Sequence, residues 1–448
     1  MDKTDRITQP EATVQPGATV RLGESTHPEA TVRLGESTQP EANTPPDAAA
    51  RLDAIAHSDA IVVGAGFAGA TIARELAERG GMQVALIERR AHIGGNAYDH
   101  HDEQGVLIHA YGPHIYHTDS DRVHAYLSRF TDWNDYQHEV LANIHGSFIP
   151  VPFNLNSIDS SFDHERAAAY KTALLEAYPP KSRVGILDLK QQPDPLLKEL
   201  SDYVYENVFL HYTMKQWGQT PEQIDPTVTA RVPVLLDTDN RYFQDKYQGL
   251  PKNGYTPLFA AMLDHPSISV YLGLEATDLF DIRVTQADAS SEEKVEAILI
   301  DGKPYEGLVI YTGALDELMN WRYGLLPYRS LDFIYRRYAQ KHVQPVGTVN
   351  FTVDEDYTRT TEYSWLTGQD IDVTTVAEEY PTAFTDAATQ TPYYPITGDE
   401  NQAAYERYAE LFSCMPKFKL LGRLAEYRYY NMDQIVKRAL ELADEILD

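Results

Sequence analysis

The sequence predicts an α/β chain made of a Rossmann-like unit, a helical insertion and an antiparallel β-sheet region. Three observations carry that expectation. Ala60-Ile61-Val62-Val63 is a short apolar run fit for a buried parallel strand, and it leads into a glycine turn and a helical stretch. Residues 160–245 read as helical, punctuated by Pro179-Pro180, Pro193 and Pro195. Residues 265–311 and 331–366 contain alternating, β-branched and aromatic runs that suggest strands.

Composition bounds what such a chain can do. Its 448 residues leave room for about three domains, and 43% apolar with 11% aromatic residues is ample for buried cores. Lys plus Arg is 38 against 67 Asp plus Glu, a formal charge of −29. That envelope repels phosphate backbones, so neither nucleic acid nor an anionic membrane is expected as a partner. A phosphate-bearing ligand must instead be held by a few aimed arginines or backbone amides. A single cysteine, Cys414, excludes an internal disulfide and any Cys-x-x-Cys redox or zinc motif. No apolar run reaches membrane-spanning length and the N-terminus lacks a basic-then-apolar pattern, so a soluble cytoplasmic protein is expected.

Residues 1–57 are expected to be a disordered low-complexity repeat tail. Ala18 to Thr26 returns as Ala30 to Thr38, a period of 12, but a solenoid needs about three or more units to bury a core. Order is expected from Asp59. After the first strand come Gly64-x-Gly66-x-x-Gly69, a helix from Ala70 to Arg79, and a second strand, Val84 to Ile87, closed by Glu88. Gly64 permits the tight turn, Gly66 lets a pyrophosphate approach the backbone, and Gly69 lets helix and strand pack closely. Phe67, within the turn, is a further expected cofactor residue, and the free N–H groups of the helix start favour phosphate. Glu88, 22 residues after Gly66, can accept from a ribose diol and repels a 2′-phosphate. At the other end, Met432 to Leu447 forms an amphipathic closing helix through Ile435, Val436, Leu440, Leu442, Ala443 and Ile446.

Arg90-x-x-x-Gly94-Gly95-Asn96 follows the acidic strand end and resembles the extended fingerprint of FAD enzymes related to glutathione reductase and the amine oxidases. Arg89 or Arg90 would meet adenosine phosphate or ribose, and the glycines let the chain pass beneath the cofactor. With no second Gly-x-Gly-x-x-Gly there is no dedicated nicotinamide domain, and FAD is favoured. Reading onward, Tyr111-Gly112-Pro113-His114-Ile115-Tyr116-His117-Thr118 closely resembles a signature of the bacterial UDP-galactopyranose mutase family. So do Tyr212-Thr213-x-x-Gln216-Trp217-Gly218, Arg231-Val232-Pro233-Val234, and Tyr247-Gln248-Gly249-Leu250-Pro251-x-x-Gly254-Tyr255-Thr256. Further matches are Tyr328 to Phe333, Tyr357-Thr358-Arg359 with Glu362, Tyr393-Tyr394-Pro395-Ile396, and Gly422-Arg423-Leu424-x-x-Tyr427-Arg428-Tyr429. The blocks keep family order from about residue 58 to the C-terminus.

The resemblance implies an isomerase that interconverts UDP-galactopyranose and UDP-galactofuranose with FAD, active when reduced and without net redox change. The family's route is a covalent adduct between flavin N5 and galactose C1. UDP leaves, the ring opens and recloses through O4, and UDP returns. The departing diphosphate gains charge, and Arg231 and Arg359 match the family's two clamping arginines. His114 matches the Pro-His turn against the isoalloxazine and is the third expected catalytic residue. His138, Phe209, Tyr212, Thr213, Trp217, Tyr242, Asn350, Tyr394, Tyr429 and Asn431 match positions around the nucleotide-sugar. Beyond Gly64, Gly66, Phe67, Gly69, Glu88, Arg89, Gly95, Asn96 and His114, the expected flavin residues are Ile115, Gly422, Arg423, Tyr430, Asn431 and Met432. Asn431 stands where many bacterial relatives have aspartate, so a carboxylate role there is not carried over.

The resemblance also implies an organisation. A discontinuous FAD-binding domain takes 58–137, 243–330 and 395–448; a helical substrate domain with a mobile lid around Arg231 takes 155–242; a β-sheet domain takes 138–154 and 331–394. Residues 368–390 read as a loop peculiar to this chain. Nine of fifteen histidines fall between His92 and His145, yet no His-Glu-x-x-His run accompanies them, so no metal site is expected. NAD(P)H is one candidate reductant, without a dedicated domain, the sequence leaving the reductant open, and a homo-oligomer, dimer or higher, is the expected assembly. The competing readings are an amine-oxidase-type flavin oxidoreductase, which has no diphosphate to neutralise, and a non-catalytic nucleotide-sugar binding module.

Overall fold

Five short strands pair edge to edge into a wholly parallel sheet. Its order is Ile268–Leu272, Val84–Glu88, Ala60–Val63, Leu308–Tyr311 and Phe418–Leu420. The computed structural model in which this is seen describes residues 48–218, 233–285 and 293–448. Side chains alternate across the sheet as a pleat requires. Val62, Leu86 and Ile310 face one core, covered by the helices Phe67–Glu78 and Met432–Leu447. Ile61, Ile87 and Val309 face the other. Burial on both faces explains why the inner strands Ala60–Val63, Val84–Glu88 and Leu308–Tyr311 read as apolar runs.

A seven-stranded sheet lies elsewhere in the fold, in the order Tyr394–Pro395, Tyr328–Tyr338, Thr374–Ala383, Arg359–Glu362, Thr348–Phe351, Val140–Ile144 and Ser147–Val151. Every pairing is antiparallel except that of Thr348–Phe351 with Val140–Ile144. Between the strand Ser147–Val151 and Gly218 the chain is mainly helical, interrupted by the strand Arg183–Gly185, around its own core, which includes Phe153, Tyr170, Leu200 and Val204. Asp163 and Asp194 cap two of these helices by accepting the N–H groups of Arg166 and Leu196, each at 2.9 Å. A π-helical turn, Tyr205–Leu210, precedes the helix His211–Trp217. No helix among the described residues is long and apolar enough to cross a membrane.

Two sequence expectations are corrected. The tail is not disordered up to residue 57, because Ala48–Ala56 is a helix whose Ile55 is fully buried in the second core. Consecutive alanines favour helix, and Leu52 and Ile55 at i, i+3 give it an apolar side. The repeats themselves lie outside the described residues. Residues 368–390 are not a loop either, since Thr374–Ala383 runs through the interior of the seven-stranded sheet. Arg231 and the lid expected around it also lie outside the described residues.

Candidate active site

The glycine turn opens at the carboxyl ends of the parallel strands, the edge at which such sheets bind ligands. Gly64 takes φ +100°, and a Cβ there would stand 2.2 Å from Thr312 Oγ1. Gly69 packs beneath the turn, where a Cβ would meet the Gly64 carbonyl oxygen at 1.8 Å. Glu88 is buried, and each of its oxygens takes one backbone N–H at 2.9 Å, from Ala65 and from Arg90. A carboxylate offers about four acceptor sites, so capacity remains for a diol. Arg89 is committed to Glu317 at 2.6 Å and Glu275 at 3.6 Å. Arg90 donates to Asn96 Oδ1 at 2.9 Å while its guanidinium lies 4.2 Å over the Tyr111 ring.

Gly64, Glu88, Arg89, Arg90 and Asn96 line a cleft with about 1270 Å³ of open space, and Gly422, Arg423, Tyr430, Asn431 and Met432 line it as well. Phe67 and Met432, the first residues of the helices Phe67–Glu78 and Met432–Leu447, border it. Narrow glycine backbone, an acidic acceptor and two helix N-termini suit a dinucleotide.

His114 stands where this cleft meets a second one. Its Nδ1–H donates to the Gly112 carbonyl at 2.9 Å, which fixes the tautomer and leaves Nε2 as an acceptor. Its backbone N–H donates to His109 Nδ1 at 3.0 Å, so the proton of neutral His109 sits on Nε2. Burial pushes the pKa of His114 down to about 3, helped by His109, Arg423 and Arg359 nearby, and burial does the same to His109. Both rings are therefore neutral at neutral pH. Asn96, Tyr393, Arg423, Asn431 and Met432 also border both clefts.

The second cleft is floored by the seven-stranded sheet. Directly opposed residues on neighbouring antiparallel strands share a face, and Glu379, Arg359 and Asn350 form one such row. Arg359 Nε donates to Glu379 Oε2 at 2.8 Å. Burial opposes the charge of Arg359, but Glu379 alongside outweighs it and holds the guanidinium protonated. Its Nη atoms make no hydrogen bond among the described residues and remain for a ligand. Tyr212, Tyr242, Tyr394 and Tyr429 line the same cleft, and their hydroxyls are likewise unpaired among the described residues. Tyr394 and Tyr429 stack at 5.7 Å, with Arg423 5.1 Å from each ring. Arg423 is anchored by the carbonyls of Tyr393 and Tyr430. His138 is buried, packs against Tyr242 and Phe243, and bonds Tyr136 through Nδ1 at 3.0 Å. Desolvation takes its pKa down to about 3.

Most residues singled out from the sequence thus border one of two adjoining clefts. Gly69 lies under the turn and lines neither. Ile115 borders the second cleft rather than the first. Phe209, Thr213 and Trp217 border neither; Phe209 and Thr213 are turned into the protein. Arg231 cannot be placed, lying outside the described residues. Sequence reasoning missed Glu379 and Thr348, which line the second cleft, and His109, which supports the His114 turn. A glutamate facing an arginine across a strand pair is a signal only once residues 374–383 are read as a strand.

Comparison with known proteins agrees with this geometry. Residues 207–429 match the family profile described as UDP-galactopyranose mutase, and residues 62–130 match an NAD(P)-binding Rossmann-like domain. The chain is 35% identical to a UDP-galactopyranose mutase of Mycoplasma pneumoniae, over 87% of this chain and 96% of that protein. It is 34% identical to a dTDP-fucopyranose mutase of Escherichia coli, over 86% of this chain and 97% of the relative. Among solved structures, a reduced UDP-galactopyranose mutase superposes with a TM-score of 0.60 at 17% identity, covering 87% of this chain and 94% of the other. That likeness concerns the fold.

Proposed function

Because this chain belongs to the UDP-galactopyranose mutase family, a family of isomerases, we propose that it interconverts UDP-galactopyranose and UDP-galactofuranose. The flavin-type cofactor is FAD, held along the glycine turn, Glu88 and the start of the closing helix. When bound and reduced, it supplies a nucleophilic N5 for the anomeric carbon, which splits a hard rearrangement into easier steps. NAD(P)H is the proposed reductant.

The observation that carries this reading is the row Glu379–Arg359–Asn350, flooring a cleft that shares His114 and Arg423 with the cofactor cleft. Arg359 turns its free Nη fork to the diphosphate, and Glu379 holds the fork by Nε. The departing nucleotide gains charge, so a donor already in place lowers the barrier without reorganising. The tyrosine hydroxyls donate to the same phosphates, and Arg231 supplies the second cation. His114 presents a neutral acceptor to the cofactor. An amine-oxidase-type reaction gives this phosphate-directed lining no task.

A second reading comes from the near-equal identity to the dTDP-fucopyranose mutase. Incubating the dithionite-reduced protein with UDP-galactofuranose and dTDP-fucofuranose in parallel, and resolving products by chromatography, decides between them. Faster conversion of the UDP sugar is expected; preference for the dTDP sugar would replace the proposed substrate.

A further inference from the structure

Among the described residues, three that line the second cleft carry a buried side-chain polar atom without a hydrogen-bond partner: His117, Thr348 and Glu379. His117 Nδ1 faces Asp245 at 3.3 Å, and Glu379 belongs to the arginine pair. Thr348 is left. It is 2% exposed, and nothing among the described residues pairs its hydroxyl.

Its placement is set by strand register. Thr348 precedes Asn350 by two residues on one strand, so both present side chains to the same face. That face carries Arg359 opposite Asn350, and Val140 and Thr361 opposite Thr348. Val140 lines the cleft as well. A valine would fill the position with nearly the same shape and without an unpaired hydroxyl. A buried hydroxyl with no partner lowers the stability of the free protein unless something else bonds it.

We propose that Thr348 is a substrate-binding residue, whose hydroxyl hydrogen-bonds a polar atom of the nucleotide-sugar lying over the Asn350–Arg359 row. The proposal rests on the reading of this cleft as the nucleotide-sugar site and deepens it. The hydroxyl is unpaired without ligand and paired with it. Removing it should therefore have opposite effects on the free protein and on the complex, a pattern that a purely structural threonine does not give.

The test uses the flavin-loaded, oxidised protein, titrated with UDP and with UDP-galactose by calorimetry, in wild type, Thr348→Val and Thr348→Ser. Thr348→Val should unfold about 1–3 °C higher than wild type without ligand and bind UDP-galactose about tenfold more weakly. Thr348→Ser should restore affinity. Equal weakening for UDP locates the contact on the nucleotide; weakening confined to UDP-galactose locates it on the hexose. Unchanged affinity for both ligands in Thr348→Val, or a lower unfolding temperature without ligand, overturns the assignment. Failure of the wild type to take either ligand would instead refute the nucleotide-sugar reading itself, so the two failures are distinct.

Discussion

Glu379 and Arg359 sit opposite each other on adjacent antiparallel strands, and the carboxylate takes the guanidinium by Nε alone, at 2.8 Å. The pair therefore orients the arginine without consuming the fork that a diphosphate needs. Glu379 is 1% exposed, and removing it leaves the Arg359 guanidinium without the carboxylate that pairs and orients it. Glu379→Ala should lower kcat/KM for the UDP sugar by about 10- to 100-fold, less than loss of the transition-state donor itself. Glu379→Gln, which still offers an oxygen to Nε, should lose less. Steady-state kinetics of both variants check this, and equal losses would show that charge alone matters.

Arg359→Ala removes the donor itself. Turnover should fall by at least about a hundredfold. Arg359→Lys should recover only part, because an ammonium lacks the planar fork. Chromatographic turnover at saturating substrate checks both, and wild-type rates in Arg359→Ala would remove the residue from the chemistry.

His109 acts through the His114 turn. Asparagine places its amide oxygen near the position of Nδ1, so His109→Asn should keep the bond to the His114 N–H, and His109→Phe should lose it. The expected signature is a shift in the visible flavin spectrum and midpoint potential of His109→Phe, with near wild-type values in His109→Asn. Identical spectra in all three proteins would assign His109 to packing.

The buried histidines also set the response to acid. His109, His114 and His138 are held down to about 3 by desolvation, whereas an unfolded chain takes up these protons near pH 6.5. Between those limits the unfolded state binds more protons, so stability falls as pH drops. Asp316, raised to about 6 mainly by burial, works the other way, with one proton held by the folded state between about pH 4 and 6. Three protons against one leave roughly 3 kcal/mol per pH unit at most. Urea midpoints at pH 7.5, 6.0 and 5.0 should decline below pH 6.5; a level profile would contradict the burial of these rings.

The Rossmann-like unit was legible because its signals are local. The strands Ala60–Val63 and Val84–Glu88 lie where apolar runs indicate, and the closing helix spans Met432–Leu447 as its periodicity predicts. The strand Thr374–Ala383 was not legible, because glutamate stands on both of its faces. Glu378 pairs with Arg336 on one side and Glu379 with Arg359 on the other. That destroys the apolar–polar alternation by which strands are read. Thr348 and His109 were illegible for a related reason: their part depends on partners far away in sequence or on the lack of one. The helix Ala48–Ala56 was obscured by the low-complexity stretch before it.

The most direct test holds the flavin of one preparation first oxidised, then reduced, and follows UDP-galactofuranose by chromatography with the flavin spectrum recorded alongside. Conversion to UDP-galactopyranose is expected only after reduction, with the flavin still reduced when equilibrium is reached. Conversion by the oxidised protein, or consumption of substrate in step with a stoichiometric change in flavin redox state, would contradict it.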